Sequence, residues 1–241
     1  MNWFAPARRF SPDCVELIDR PDTGQMLLRE ELRILEKANR RLGGHHLMLQ
    51  CVERLIGVSE IKSLNVLDLA TGAADIPRTI VDWARKRQLP ITITAVDNNS
   101  EILSIARESC RDWPEIRLEQ HDLRALPYAP ESFDLVLCSL ALHHFDLADA
   151  VAILRRIQEL ACVGYIVNDL RRNWFCIWVT NLLTPFLTKS SAFRRDAAQS
   201  CRAAFTVREL RSLAEQAELN HFQIRRQHLF FHVTLEGLKP N

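Results

Sequence analysis

The chain has 241 residues, with 31 Lys and Arg against 30 Asp and Glu, a formal net charge of +1, and 47% hydrophobic residues. That length supports a full core in one large domain or in a domain with a lid, and the balanced charge exerts no chain-wide pull toward nucleic acid or a membrane. Seven cysteines (14, 51, 110, 138, 162, 176 and 201) never stand in C-x-x-C spacing, which argues against a zinc site or disulfide framework and for a reducing compartment.

The opening M-N-W-F-A-P-A-R-R-F has two arginines with no apolar core behind them, so it is not read as a secretory signal. No apolar run is long enough to span a bilayer, and a cytoplasmic location is expected. Residues 1–20 read as irregular. From Thr23 to Leu42, Met26, Leu27, Leu32, Ile34, Leu35 and Ala38 form a helical stripe that Gly43-Gly44 ends. A second helix, His45 to Ile56, carries Leu47, Met48, Cys51, Val52 and Leu55. Two helices ahead of the first core strand cannot join a parallel sheet and are expected to cap its ligand edge.

Asn65–Asp75, N-V-L-D-L-A-T-G-A-A-D, is a buried strand that ends in an acid and turns tightly into a helix. Ala70, Gly72, Ala73 and Ala74 keep the turn free of bulk, so a ligand can approach the backbone and the free N–H groups of the helix start. Asp75 is expected as N-cap, with Pro77 in the first turn. A nicotinamide site needs G-x-G-x-x-G, whereas here only Gly72 is a glycine. The acid Asp68 would repel a pyrophosphate and attract an α-ammonium group, which points to S-adenosylmethionine. The stretch resembles motif I of the class I S-adenosylmethionine-dependent methyltransferases, D-x-G-x-G-x-G, with Ala70 and Ala74 at the first and third glycine positions, where positive φ is wanted.

The following residues alternate strand and helix, the pattern of a doubly wound α/β fold. Ile91–Val96 is a second strand closed by Asp97, 29 residues after Asp68, where a carboxylate can accept from both ribose hydroxyls. A strand-end turn beside Asn98 and Asn99 is the plainer alternative. Glu101–Cys110 reads as a helix and Ile116–Gln120 as a third strand, followed by His121-Asp122-Leu123. The resemblance implies that Asp122 accepts from the adenine amine and the Leu123 N–H donates to the ring. A surface Asx-turn explains Asp122 as well. The resemblance further implies cofactor contacts from Ala70, Gly72, Asn98 and Ser139, and from Arg40 to the cofactor carboxylate.

Leu135–Ser139 is a fourth strand, and Leu142-His143-His144-Phe145 follows at the carboxyl edge where such sheets bind ligands. A histidine there suits removal of a hydroxyl proton. Adjacent residues rarely aim at one point, so a single catalytic histidine is expected and a metal site is disfavoured. L-H-H-F runs resemble those of natural-product O-methyltransferases, in which an Asp after strand five assists the pair. Here Gly164–Val167 is the fifth strand, and Asp169 either orients a histidine or caps a helix.

Residues 171–205 form an apolar insertion in which Trp174, Phe175 and Trp178 suit a wall for a flat acceptor, or simple packing on the N-terminal helices. Residues 171–211 hold eight Lys and Arg against Asp196 and Glu209. RNA methylation is set aside, since no N-P-P-Y or D-P-P-F stands at strand four, and a peripheral membrane contact fits better. Thr206 and Glu209 form a capping box at the head of a helix. Phe222–Leu229 and Phe230–Leu235 read as two closing strands.

The expected architecture is α/β, a class I methyltransferase Rossmann-like doubly wound seven-stranded sheet with its last strand antiparallel and an α-helical lid. Its divisions are a helical cap (1–60), a cofactor-binding core (61–170), a lid insertion (171–205) and the closing helix and strands (206–241). The expected activity is methylation of a hydroxyl on a small aromatic or polyketide-derived acceptor, with no metal, no nucleic acid and no stable membrane insertion. A homodimer is compatible with the sequence. C-methylation of a quinol or phenol ring, and a non-catalytic cofactor-binding or partner protein, remain as rivals.

Overall fold

The computed structural model describes residues 5–11, 16–20, 23–57, 61–227 and 232–239. Strands β1 (Leu64–Leu69), β2 (Ile91–Asp97), β3 (Ile116–Gln120), β4 (Phe133–Ser139) and β5 (Ala161–Leu170) run parallel. β7 (His232–Leu238) is antiparallel to both β5 and β6 (Phe222–Gln227), and the order across the sheet is β3-β2-β1-β4-β5-β7-β6. The strand order reverses between β1 and β4, which opens a crevice at their carboxyl ends.

Side chains alternate along each strand, so an apolar run must be covered on both faces. Leu67, Leu69, Val136 and Cys138 pack toward α5 (Leu147–Leu160) and α8 (Val207–Gln216). Val66, Ile93, Leu135 and Leu137 pack toward the opposite layer, α2 (Gly44–Ile56) and α3 (Asp75–Lys86). Helix α2 therefore belongs to the sheet's own covering layer, through Leu47, Met48, Cys51, Val52 and Leu55. Of the two N-terminal helices expected over the ligand edge, only α1 (Gln25–Arg41) reaches it, where Leu28 and Leu32 pack on Ala73 and on Ile102 and Ile105 of α4 (Ser100–Ser109).

Residues 171–205 leave the sheet as α6 (Trp174–Leu187) and α7 (Ser191–Ala203). The ends of this excursion are pinned together: Arg171 and Phe205 form a parallel bridge, and the Arg172 N–H donates to the Phe205 carbonyl at 3.1 Å. The capping box of Thr206 and Glu209 starts α8 as its sequence reads. β5 is longer than Gly164–Val167, because its pairing with β7 continues through Asp169↔Val233 and Leu170↔His232. Asp169 therefore stands within a strand and caps no helix. Residues 228–231, part of the expected closing strands, and Cys14 lie outside the described residues. The six other cysteines are free thiols. Among the described residues no helix is long and apolar enough to cross a membrane.

Candidate active site

The turn after β1 is built from left-handed backbone: Ala70, Gly72 and Ala74 have φ of 54°, 56° and 58°. Each alanine there carries strain that glycine would avoid. A Cβ on Gly72 would meet only Leu32 Cδ2 at 3.9 Å, so glycine at this position serves the backbone conformation and leaves the turn open. The N-cap of α3 is Ala74 and has no side-chain cap. Asp75 is the first helical residue, which corrects the expectation that it caps. Its carboxylate turns back to His45 Nε2 at 2.7 Å and Asn39 Nδ2 at 3.2 Å. Burial works against the charge of Asp75, but the His45 and Asn39 hydrogen bonds hold its pKa below the ordinary value.

Asp68 pairs in register with Ala95 and Asp97 with Gln120, so both acids close their strands at the carboxyl edge. Asp68 is buried, and burial pushes its carboxyl up to about 7. Among the described residues no cation forms an ion pair with it. Asp97 accepts the Gly72 N–H at 3.0 Å through Oδ2 and the Asn99 N–H at 3.1 Å through Oδ1, tying the β1 turn to the end of β2. Asp122 accepts the Arg124 N–H at 2.9 Å and pairs with the Arg124 guanidinium at 2.6 Å. The Asx-turn weighed as an equal alternative for Asp122 is thus present, on the rim of the same cavity.

That cavity, about 770 Å³, lies within the range of small-molecule sites. Its lining includes Asp68, Ala70, Gly72, Asp97, Asn98, Asp122, Leu123, Ser139, His143 and His144. Arg40 is not among them: it points to solvent from α1, its side chain 68% exposed and bonded to Glu36 one turn back. Trp174, Phe175 and Trp178 are absent as well. The side chains α6 turns toward the cavity are Thr180, Leu183 and Thr184, so the expected aromatic wall faces outward.

The histidine pair sits on a 3₁₀ turn, Leu142–His144. Asp169 holds this turn from β5: Oδ2 accepts the His143 N–H at 2.9 Å and Oδ1 lies 2.6 Å from His143 Nδ1. The turn stacks the two rings, with centroids 4.2 Å apart and planes inclined by 35°. Both Nε2 atoms then face one carboxylate, Glu16, each 3.9 Å from one of its oxygens. These adjacent histidines do face one point because the turn is tight, contrary to the expectation that neighbours rarely do. Burial opposes charge on His143, but the Asp169 carboxylate and its hydrogen bond, with Glu16 behind, raise the pKa to about 9. Asp169 correspondingly stays below the ordinary carboxylate range despite its burial.

Glu16 had no signal in the sequence: it lies in an irregular segment outside any motif. His232, buried on the cavity wall with Nδ1 3.2 Å from Asn168 Oδ1, was equally invisible.

Residues 66–163 match the family model described as "Methyltransferase domain". A demethylmenaquinone methyltransferase of Thermotoga maritima is 31% identical over 121 residues, 48% of this chain and 49% of that protein. The chain thus spans about half the length of the curated relative it matches. Among solved structures, a plantazolicin methyltransferase in complex with SAH superposes with a TM-score of 0.67 at 12% identity, covering 93% of each chain. A magnesium protoporphyrin IX methyltransferase from Synechocystis with bound SAH superposes with a TM-score of 0.57 at 16% identity, covering 83% of this chain and 85% of that one. These likenesses establish the fold.

Proposed function

We propose that this chain, whose core belongs to the class I S-adenosylmethionine-dependent methyltransferases, transfers a methyl group to a hydroxyl of a small, largely apolar acceptor. The observation that carries this reading is one cavity with two chemistries in its lining. Asp68 and Asp97 stand at the carboxyl ends of β1 and β2, Asp122 follows β3, and Glu16, His143 and His144 line the same cavity.

The residues fit the cofactor. Asp68, a buried acid without a cation partner among the described residues, suits an α-ammonium group. Asp97, at the end of β2 and on the cavity wall, offers a carboxylate of the kind that accepts ribose hydroxyls. Asp122 and Leu123 border the place for adenine. Bound S-adenosylmethionine supplies a methyl group on a sulfonium, electrophilic enough to pass in line to an oxygen.

The protein's own work is positioning and proton removal. His143, held charged by Asp169, is a fixed mount and not a resting base. His144 is the proton acceptor: its side chain is partly open to the cavity, and Glu16 stands ready to balance the imidazolium it becomes. A roughly 10²-fold or larger loss of turnover in His144→Ala, with SAH binding retained by calorimetry, is expected for a general base. Unchanged turnover, or loss only in His143 variants, removes this assignment. Absence of SAH binding to the native protein removes the whole reading.

C-methylation of a quinol ring is the second reading, favoured by the identity to the Thermotoga demethylmenaquinone methyltransferase. Incubation with phenols and with demethylated quinols, followed by NMR of the product, separates O–CH₃ from C–CH₃. Cofactor binding without turnover on any acceptor would favour a non-catalytic protein.

A further inference from the structure

Helix α6 is apolar on its outside as well as its inside. Inward, Cys176 and Ile177 pack with Cys201 of α7. Outward, Trp174, Trp178, Leu182 and Phe186 recur every fourth residue and are 58%, 61%, 48% and 82% exposed, with Phe175 beside them at 47%. Residues three and four apart share a helix face, so these side chains form one ridge along a helix about 21 Å long. An uncovered ridge of two tryptophans and two phenylalanines exceeds the scattered apolar exposure of an ordinary surface.

Exposed cations stand at both ends of the ridge. At its start, Arg208, Arg211 and Arg226 are exposed and, with Arg171, border the groove that Trp174 and Phe175 line. Beyond its end, Lys189 and Arg195 are exposed. No acid occurs within Trp174–Leu187. Of the two acids of 171–211, Asp196 accepts the Leu17 N–H at 2.8 Å, and Glu209 is neutralised at the groove by Arg172, at 2.6 Å, leaving Arg208, Arg211 and Arg226 in excess there.

We propose that this face of α6 docks on an anionic phospholipid surface, with the helix lying in the plane of the interface. The aromatic rings enter the headgroup boundary, where Trp is favoured, and the terminal cations meet lipid phosphates. Fourteen residues are too few to span a bilayer, so the contact is peripheral. A second copy is a poorer occupant, because two-fold pairing of this face sets basic ends against basic ends whichever way the helices run. Leu183 belongs both to the exposed side of α6 and to the cavity lining. An apolar acceptor dissolved in the bilayer would therefore meet the enzyme at its lid; this last step rests on the proposed function, whereas the docking does not.

The test is flotation of the full chain with vesicles of phosphatidylcholine alone and of phosphatidylcholine with phosphatidylglycerol, at low and high salt. Binding is expected to the mixed vesicles, with a blue shift of tryptophan emission. Each cation near such a surface contributes about fivefold in affinity. Arg208→Glu/Arg211→Glu is thus expected to weaken binding by more than roughly tenfold, as is Trp174→Ser/Trp178→Ser through lost apolar burial. These side chains are exposed, and an unchanged melting temperature checks that the variants fold. No binding to mixed vesicles, or equal binding by native chain and both variants, overturns the proposal. So does a solution dimer that Trp174→Ser/Trp178→Ser dissociates, which would identify a second copy as the occupant. Vesicle binding without SAH binding would leave the docking standing and remove the methyltransferase reading.

Discussion

Replacing Asp169 by Asn removes the charge that faces His143 Nδ1 across 2.6 Å while keeping the shape of the side chain. The ordinary histidine pKa of 6.5 is raised to about 9 in the folded protein. Because the folded value is the higher one, the stabilisation is fully present below pH 6.5 and disappears as pH rises through about 9. Integrating that difference gives roughly 2–3 kcal/mol at pH 7 and almost nothing at pH 10. Asp169 is the largest favourable contributor, so Asp169→Asn is expected to lose most of this at pH 7. Asn also has one acceptor oxygen for three donors: the His143 N–H, the ring nitrogen and the Leu170 N–H. Urea unfolding of native and variant protein, followed by fluorescence at pH 7 and pH 10, measures both terms. The gap between the two proteins should narrow at the higher pH by about 2 kcal/mol. An equal gap at both pH values would mean that His143 is neutral at pH 7, and its assignment as a charged mount would be wrong.

Asp97→Asn leaves one oxygen for the Gly72 and Asn99 amides, so SAH affinity by calorimetry is expected to fall roughly tenfold as the β1 turn loosens. Ala70→Gly relieves a left-handed alanine and is expected to raise stability by roughly 0.5–1 kcal/mol in thermal melts; a loss would show that the methyl group packs more than it strains. Among the described residues the buried Tyr165 hydroxyl has no partner, so Tyr165→Phe should stabilise by about 1 kcal/mol, and a loss would place a partner at that oxygen. Gly237→Ala would set a Cβ 2.1 Å from Tyr165 Cζ, and a loss of roughly 3 kcal/mol is expected in urea unfolding.

The sheet was legible because its information is local. Each buried strand is a short apolar run, and Asp68 and Asp97 announce the strand ends that place them on one edge. The left-handed turn was legible for the same reason, since motif spacing locates the positions that need positive φ even where alanine fills them. The capping box at Thr206 needs only its own four residues, and it stands where it reads.

What needed the folded chain was every relation between distant segments. Glu16 meets the histidine pair only because it and Ile18, ahead of α1, line the cavity, and no periodicity encodes that meeting. The direction of α6 was equally hidden. Its composition is apolar all round, so nothing local says which face packs, and only docking on α7 turns Thr180 and Thr184 inward and leaves Trp174 and Trp178 outside. Arg40 lies outside the cavity for a geometric reason, because α1 is oriented by Leu28 and Leu32, which bury against Ala73 and α4 and leave Arg40 in solvent. The sequence by itself determined the strands, the strained turn and the acids at its edge, since those follow from a few neighbouring residues. The tertiary structure alone decided which side chains share the cavity with them, because burial is settled between segments that meet only on folding.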